Sequence, residues 1–231
     1  MACGVIFDFN GTMIFDAPVN RQAWREFLAE LIGRDCTEEE FYGRVQGGNG
    51  RDLVAYFLDT AGIELPPDEV ERLGVKIDEV YRRVLVSRPD LFHLAPGLPE
   101  FLDELVRRGI PRTIASAAPP ENMDLFFGHL GLERWFDREQ VTLNDGTLPG
   151  KPAPDMYLLA AKRLGLSASN CAVFEDARSG IEAARRAGAG AIVGVMSQFG
   201  EDEMLAIPGV TAATPDYRDI GRLVGLIESL A

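Results

Sequence analysis

Gly4-Val5-Ile6-Phe7-Asp8-Phe9-Asn10-Gly11-Thr12 is the stretch on which the fold turns. Val5, Ile6 and Phe7 run without a polar interruption into a carboxylate at a glycine turn. A strand apolar on both faces belongs in a sheet covered on both sides, the habit of parallel α/β sheets. Such sheets gather ligands at the carboxyl ends of their strands, so Asp8 is a candidate functional residue.

Toward the C-terminus the pattern continues. From Ala95-Pro96-Gly97 onward, a helix is expected over Leu98 to Arg108 and a strand over Arg112-Thr113-Ile114-Ala115. A weaker strand is expected at Gln140-Val141-Thr142, and strong ones at Cys171-Ala172-Val173-Phe174 and Ala191-Ile192-Val193-Gly194-Val195, with amphipathic helices between them. This alternation predicts an α/β fold: a Rossmann-like parallel sheet with helices on both faces.

The stretch that interrupts this rhythm reads differently. Ala23 to Ile32 has helical periodicity and stops at Gly33; Thr37-Glu38-Glu39-Glu40 is a capping box; Asp52 to Ala61 and Asp68 to Val86 are two further helices. No strand pattern occurs between 17 and 90. The expectation is an inserted all-helical domain over 16–92, with 1–15 and 93–231 forming the α/β core. Its hinges should be Phe15 to Pro18 and Phe92 to Gly97. Trp24, Phe27, Phe41 and Tyr42 are read as core of the helical domain.

Composition narrows the function. Twenty-three basic against 36 acidic side chains leave a net charge of −13, which disfavours nucleic acid and anionic membrane as partners. Cys3, Cys36 and Cys171 show no paired spacing and read as structural thiols of a reducing cytoplasm. The two histidines, His93 and His129, have no metal-ligand neighbour, which excludes a zinc site of the usual kind. No apolar run is long enough to span a bilayer, and the N-terminus lacks a secretory pattern, so a cytoplasmic protein is expected, monomeric or weakly dimeric.

The strand ends hold the chemistry. The first gives Asp8-Phe9-Asn10-Gly11-Thr12, the second Ser116 followed by Ala117-Ala118-Pro119-Pro120, a later loop Gly150-Lys151-Pro152, and the fourth strand Glu175-Asp176. Singly these are ordinary: Asp before Gly-Thr is a turn device, and Ser before a proline-started helix is a cap. Lys151 says more, because the chain uses 20 Arg and only three Lys. Two carboxylates ending an apolar strand call for a cation, and hard oxygen ligands suit Mg²⁺ shared with a substrate phosphate.

With these residues in this order, the chain resembles the haloacid dehalogenase (HAD) superfamily with a C1-type helical cap, near its β-phosphoglucomutase and sugar-phosphatase group. Phe7 to Thr12, Ser116, Lys151 and Phe174-Glu175-Asp176 match the four family motifs, and residues 16–92 match the cap. The resemblance implies that Asp8 is a nucleophile forming an aspartyl-phosphate, and that Ser116, with Ala117 beside it, and Lys151 hold the phosphoryl group. It implies that Asp8, the backbone carbonyl of Asn10 and Asp176 bind Mg²⁺, with Glu175 acting through a water. The Gly47, Gly48, Asn49 to Arg51 loop becomes the specificity loop, with Arg51 facing a second anionic group. In relatives the Lys-Pro bond of the third motif is often cis, so Lys151-Pro152 is expected to be cis.

The motifs are departed from twice. Asn10 stands where the family has an acid/base aspartate and cannot exchange a proton at neutral pH. Asn20 stands where a cap histidine is usual. The expected function is therefore a Mg²⁺-dependent phosphatase or phosphomutase-like hydrolase of a small phosphorylated metabolite, impaired in proton transfer. The alternative is a phosphate-binding regulatory protein without turnover. A dehalogenase would leave Glu175-Asp176 unexplained, and a phosphonatase needs a cap lysine, for which Lys76 is the sole candidate.

Overall fold

Strand β1 (Gly4–Phe7) lies in the middle of a parallel sheet, hydrogen-bonded to β2 (Arg112–Ser116) on one side and β4 (Cys171–Glu175) on the other. The computed structural model describes residues 3–45, 48–143 and 145–230, and the chain divides into two compact units: Met1–Phe15 with His93–Ala231, and Asp16–Phe92. In the first unit, β3 (Thr142–Leu143), β5 (Ala191–Val195) and β6 (Ala212–Thr214) complete a six-stranded sheet of order β3-β2-β1-β4-β5-β6. All pairings are parallel, as the uninterrupted apolar strands predict.

Alternation along the strands sends neighbouring residues to opposite faces. Ile6 and Val173 join a core with Tyr157, Ala160, Ile181 and Ala184 from helices Asp155–Arg163 and Arg178–Ala187. Phe7 and Phe174, paired across the strands, face the other side, where Phe7 meets Phe101 at 6.2 Å and Phe136 at 6.1 Å between ring centres. Tyr217 stacks on Phe101 at 5.6 Å. Aromatic pairs of this geometry each add about 0.5–1.5 kcal/mol beyond their buried area. The strand order reverses between β1 and β4, so the crevice where such sheets bind ligands opens at the ends of these two strands.

Two details differ from the sequence reading. The weak strand expected at Gln140-Val141-Thr142 is shorter and shifted to Thr142–Leu143, because Asp137 caps a 3₁₀ turn over Arg138–Gln140. Strand Ala212–Thr214 lies outside the strands expected from the sequence; three small residues carry little strand signal, and pairing with β5 at the sheet edge overrides propensity.

The second unit consists of helices Ala17–Leu31, Glu38–Glu40 running into a π-helical turn Phe41–Val45, Gly50–Thr60 and Pro67–Val86. Among its described residues there is no strand. The first helix starts six residues before the periodic stretch, because Pro18 sits in its first turn, where the missing N–H is not needed. Trp24, Phe27, Phe41 and Phe57 fill its core, with Trp24 5.5 Å from Phe57. Tyr42, expected in that core, is 40% exposed on the turn beside buried Phe41. Near the start of this unit, the Tyr81 hydroxyl donates to buried Asp16 at 2.6 Å. The capping box forms as read: Thr37 Oγ1 accepts from Glu40 N at 3.1 Å, and Glu40 Oε2 accepts from Thr37 N at 2.7 Å. Among the described residues, no helix is long and apolar enough to cross a membrane.

Arg34 also grips Glu40 with both nitrogens, at 2.9 and 2.8 Å, and this hydrogen bonding holds the Glu40 carboxyl down at about 2. A carboxyl lowered on folding contributes stability above its unfolded value of 4.5, which is lost as pH falls through 4.5 toward about 2. Glu40→Gln should therefore lower the melting temperature near neutral pH, and the gap from the parent should close across that acid window. Thermal melts at several pH values test this; a gap that stays constant down to the acid end would rule out the linkage.

Candidate active site

Both central strands end in acids. Asp8 follows β1 directly, its backbone N–H donating to Phe174 O at 3.0 Å, and Glu175 and Asp176 close β4. Asp8, Glu175 and Asp176 are all buried, and one carboxylate oxygen from each lies within 4.8 Å of the others. Lys151 reaches into this group: its side chain is fully buried, with Nζ 2.5 Å from Asp8 Oδ1 and 2.6 Å from Glu175 Oε1. The Lys151-Pro152 bond is cis, as expected. Four charged side chains thus meet out of water, an arrangement that costs several kcal/mol per ion unless every charge is answered.

The site is unevenly charged. Burial pushes the Asp8 carboxyl up to about 7, with Glu175 adding to the rise and Lys151 pulling against it. Burial disfavours the charge on Lys151, yet Asp8 and Glu175 together hold its ammonium well above the ordinary value. Glu175 is fully buried and committed to protein donors: Lys151, the Tyr157 hydroxyl at 2.8 Å on the same oxygen, and Ala177 N at 2.8 Å on the other. Gly180 packs directly on this carboxylate, where any side chain would collide with it. Asp176 accepts from Thr12 Oγ1 at 3.3 Å on Oδ1, and from Ser197 Oγ at 3.3 Å and Gln198 Nε2 at 3.0 Å on Oδ2.

The turn after β1 is tight. Phe9 O accepts from Thr12, Met13 and Ile14 N–H groups, and Asn10 bridges to Ile14. Gly11, at φ 78°, lies against Asp176, so a Cβ there is excluded by both backbone angle and space. Ser116 ends β2, nine-tenths or more buried, and its Oγ accepts from Ala118 N at 3.1 Å; Ala117 lies between them, partly buried. The residues expected from the sequence in the first unit, Asp8, Asn10, Ser116, Lys151, Glu175 and Asp176, all stand at the carboxyl ends of the strands or, for Lys151, reach that edge through the side chain.

The remaining expected residues belong to the second unit. Asn49 is the N-cap of helix Gly50–Thr60: its Oδ1 accepts from Asp52 N at 2.9 Å and its Nδ2 donates to Asp52 Oδ2 at 2.7 Å. Arg51 pairs with Glu71 at 3.1 Å, both more than half exposed. Asn20 lies on the first helix, partly buried, and Gly48 follows the π-helical turn; Gly47 lies outside the described residues. Lys76 pairs with Glu30 at 2.5 Å.

Sequence reasoning missed Tyr157, Ser197 and Gln198. Tyr157 is buried six residues after Lys151, with the lysine Nζ 5.0 Å from its ring centre, and nothing in its spacing announced this. Ser197 and Gln198 follow β5, and the strand-end argument carried one strand further would have found them. All three cysteines are free and buried.

Comparison with known proteins agrees with this geometry. The sequence profile of the haloacid dehalogenase-like hydrolases matches residues 4–188. The chain is similar to a phosphorylated carbohydrates phosphatase of Thermotoga maritima, 30% identical over 208 residues that cover 90% of this chain and 92% of the other. It is also similar to a β-phosphoglucomutase of Mycobacterium bovis, 30% identical, covering 82% and 79%. A crystal structure of a HAD hydrolase of family IA, variant 3, from Entamoeba histolytica superposes with a TM-score of 0.86 at 35% identity, covering 99% and 100%. A doubly covered parallel sheet with its acids and lysine at the reversal point, matched over most of its length, makes this chain a member of the haloacid dehalogenase-like hydrolases.

Proposed function

We propose that the chain is a Mg²⁺-dependent phosphatase or phosphomutase-like enzyme acting on a small phosphorylated carbohydrate through Asp8. The observation that carries this reading is the gathering of three buried carboxylates, two of which close on the ammonium of Lys151. Hard oxygen donors converging in this way fit a small divalent cation that shares its shell with a phosphate. Asp8, the Asn10 carbonyl and Asp176 would hold it, with Glu175 behind them securing Lys151. Bound there, Mg²⁺ supplies charge that offsets the negative charge of the phosphoryl oxygens.

The chain's own residues carry the reaction. Asp8 attacks phosphorus, the bond to the sugar oxygen breaks, and the phosphoryl group rests on Asp8 as an aspartyl-phosphate. Lys151 neutralises the phosphoryl oxygens, and Ser116 and the backbone beside it, including Ala117, orient them. Water then attacks phosphorus, inorganic phosphate leaves, and Asp8 is regenerated. Both steps move a proton that Asn10 can neither give nor take. General acid–base groups of this kind are worth about 10²–10⁴ in rate. In the second unit, read as the cap, Asn20, Gly48, Asn49 and Arg51 are the residues proposed for substrate recognition, Arg51 for a second anionic group.

The names of the relatives, a carbohydrate-phosphate phosphatase and a phosphoglucomutase, support the substrate class. Asn10 itself favours the second reading, a phosphate-binding protein that turns over little or not at all. A phosphate-release screen over phosphorylated sugars, with variants in parallel, separates them. Asn10→Asp should raise turnover about 10²-fold or more, and Asp8→Asn should abolish it in either background. Fast hydrolysis by the parent with no gain from Asn10→Asp would mean that another group supplies the proton. Phosphate binding without release, in parent and Asn10→Asp alike, would establish the binding protein.

A structural test addresses the lysine clamp. Gly180→Ala drives a methyl into Glu175 and should cost about 1–3 kcal/mol of stability, as overpacked cores do, measured by denaturant unfolding. An unchanged midpoint would mean that Glu175 is not held where Lys151 needs it.

A further inference from the structure

Asp176 is gripped from a loop that the reaction above does not use. β5 ends at Val195, and Ser197 and Gln198, two and three residues on, both donate to Asp176 Oδ2. The closer donor is the Gln198 amide, at 3.0 Å against 3.3 Å for the serine. The amide must face the carboxylate with its nitrogen, since the flipped orientation sets oxygen against oxygen. Its other atom, Oε1, is buried and has no hydrogen-bond partner among the described residues.

Buried polar oxygens in folded proteins are almost always satisfied, so an orphan asks for a donor that the polypeptide does not supply. Oε1 shares one carbon with Nε2, so it stays within one amide width of the atom that touches Asp176. The missing donor therefore belongs at the edge of the carboxylate group. A Mg²⁺ ion keeps several of its waters when it binds to one or two carboxylates. Those waters are polarised by the ion and are strong donors. Groups that orient metal ligands from behind typically account for about 10- to 100-fold in metal affinity.

Resting on the Mg²⁺ reading of this site, we infer that Gln198 is a positioning residue for the metal. Its Nε2 fixes the Asp176 carboxylate, and its Oε1 accepts a hydrogen bond from a water carried by the ion. Ser197 steadies the same carboxylate oxygen and has no part in the water contact.

The test uses the full chain and Mg²⁺ alone, with no phosphate, so that no substrate hydroxyl can serve as the donor. Mg²⁺ affinity is measured by calorimetry and by the rise in melting temperature that the ion produces. Gln198→Met keeps the length of the side chain and removes both polar atoms. It should weaken Mg²⁺ binding about 10- to 100-fold, the usual effect of losing such a support, while Ser197→Ala, which loses the longer 3.3 Å contact and no water contact, should cost clearly less. The metal-free melting temperature of Gln198→Met should match the parent, because an unsatisfied oxygen is removed with the donor. Gln198→Asn, too short to span the 3.0 Å contact, should weaken binding in the same way and serves if the methionine variant does not fold. Unchanged Mg²⁺ affinity in the Gln198 variants overturns the inference, as does an equal loss in Ser197→Ala. Asp176→Ala distinguishes the two levels: if it abolishes binding while the Gln198 variants do not, the role of Gln198 alone fails. If it too binds Mg²⁺ like the parent, the metal assignment fails with it.

Discussion

A single buried ammonium holds the site together. Lys151 has no exposed side-chain surface, and Asp8 and Glu175 close on it from the ends of adjacent strands. Removing the ammonium would leave two buried carboxylates without their cation, a loss of about 3–5 kcal/mol for broken buried pairs of this type. The clamp thus ties Asp8 to the backbone register of β1 and β4, and through Glu175 to Tyr157, Ala177 and the glycine surface of Gly180. Asp8 inherits a fixed direction without spending its own freedom on a loop.

The carboxylates play unlike parts because their donors differ. Glu175 is saturated by a cation, a phenol and a backbone N–H, all from the protein. Asp176 draws on neutral donors from the turns after β1 and β5. Hydroxyls and an amide set the direction of a carboxylate while leaving its charge in place, which suits an oxygen offered to a cation.

Much of this was legible from the residues. The apolar run Val5 to Phe7 forces a doubly covered strand, and a doubly covered parallel sheet fixes where Asp8, Ser116 and Glu175-Asp176 must stand. Lys151 was visible through the rarity of lysine in an arginine-rich chain. What escaped was of two kinds. Ala212–Thr214 and the shifted Thr142–Leu143 are short strands whose identity comes from their neighbours in the sheet, a tertiary effect that local pattern does not contain. Tyr157, Ser197 and Gln198 act through contacts made across the fold, and a polar residue in a loop carries no mark of the carboxylate it will meet.

The interruption of the core after fifteen residues has a consequence for how the chain is made. β1 leaves the ribosome before both of its partners: Arg112–Ser116 and Cys171–Glu175 emerge only after more than a hundred further residues in the one case and more than a hundred and sixty in the other. Domains fold as units in order of synthesis, so the helical stretch 16–92, rich in local contacts, can be complete while Val5-Ile6-Phe7 is still unpaired. For that interval this apolar strand is a bare edge with both faces open, the kind of segment that pairs with whatever strand is near. Asp8 follows that segment directly, so a nascent chain completes the surroundings of Asp8 last and is exposed to misassembly until β4 arrives.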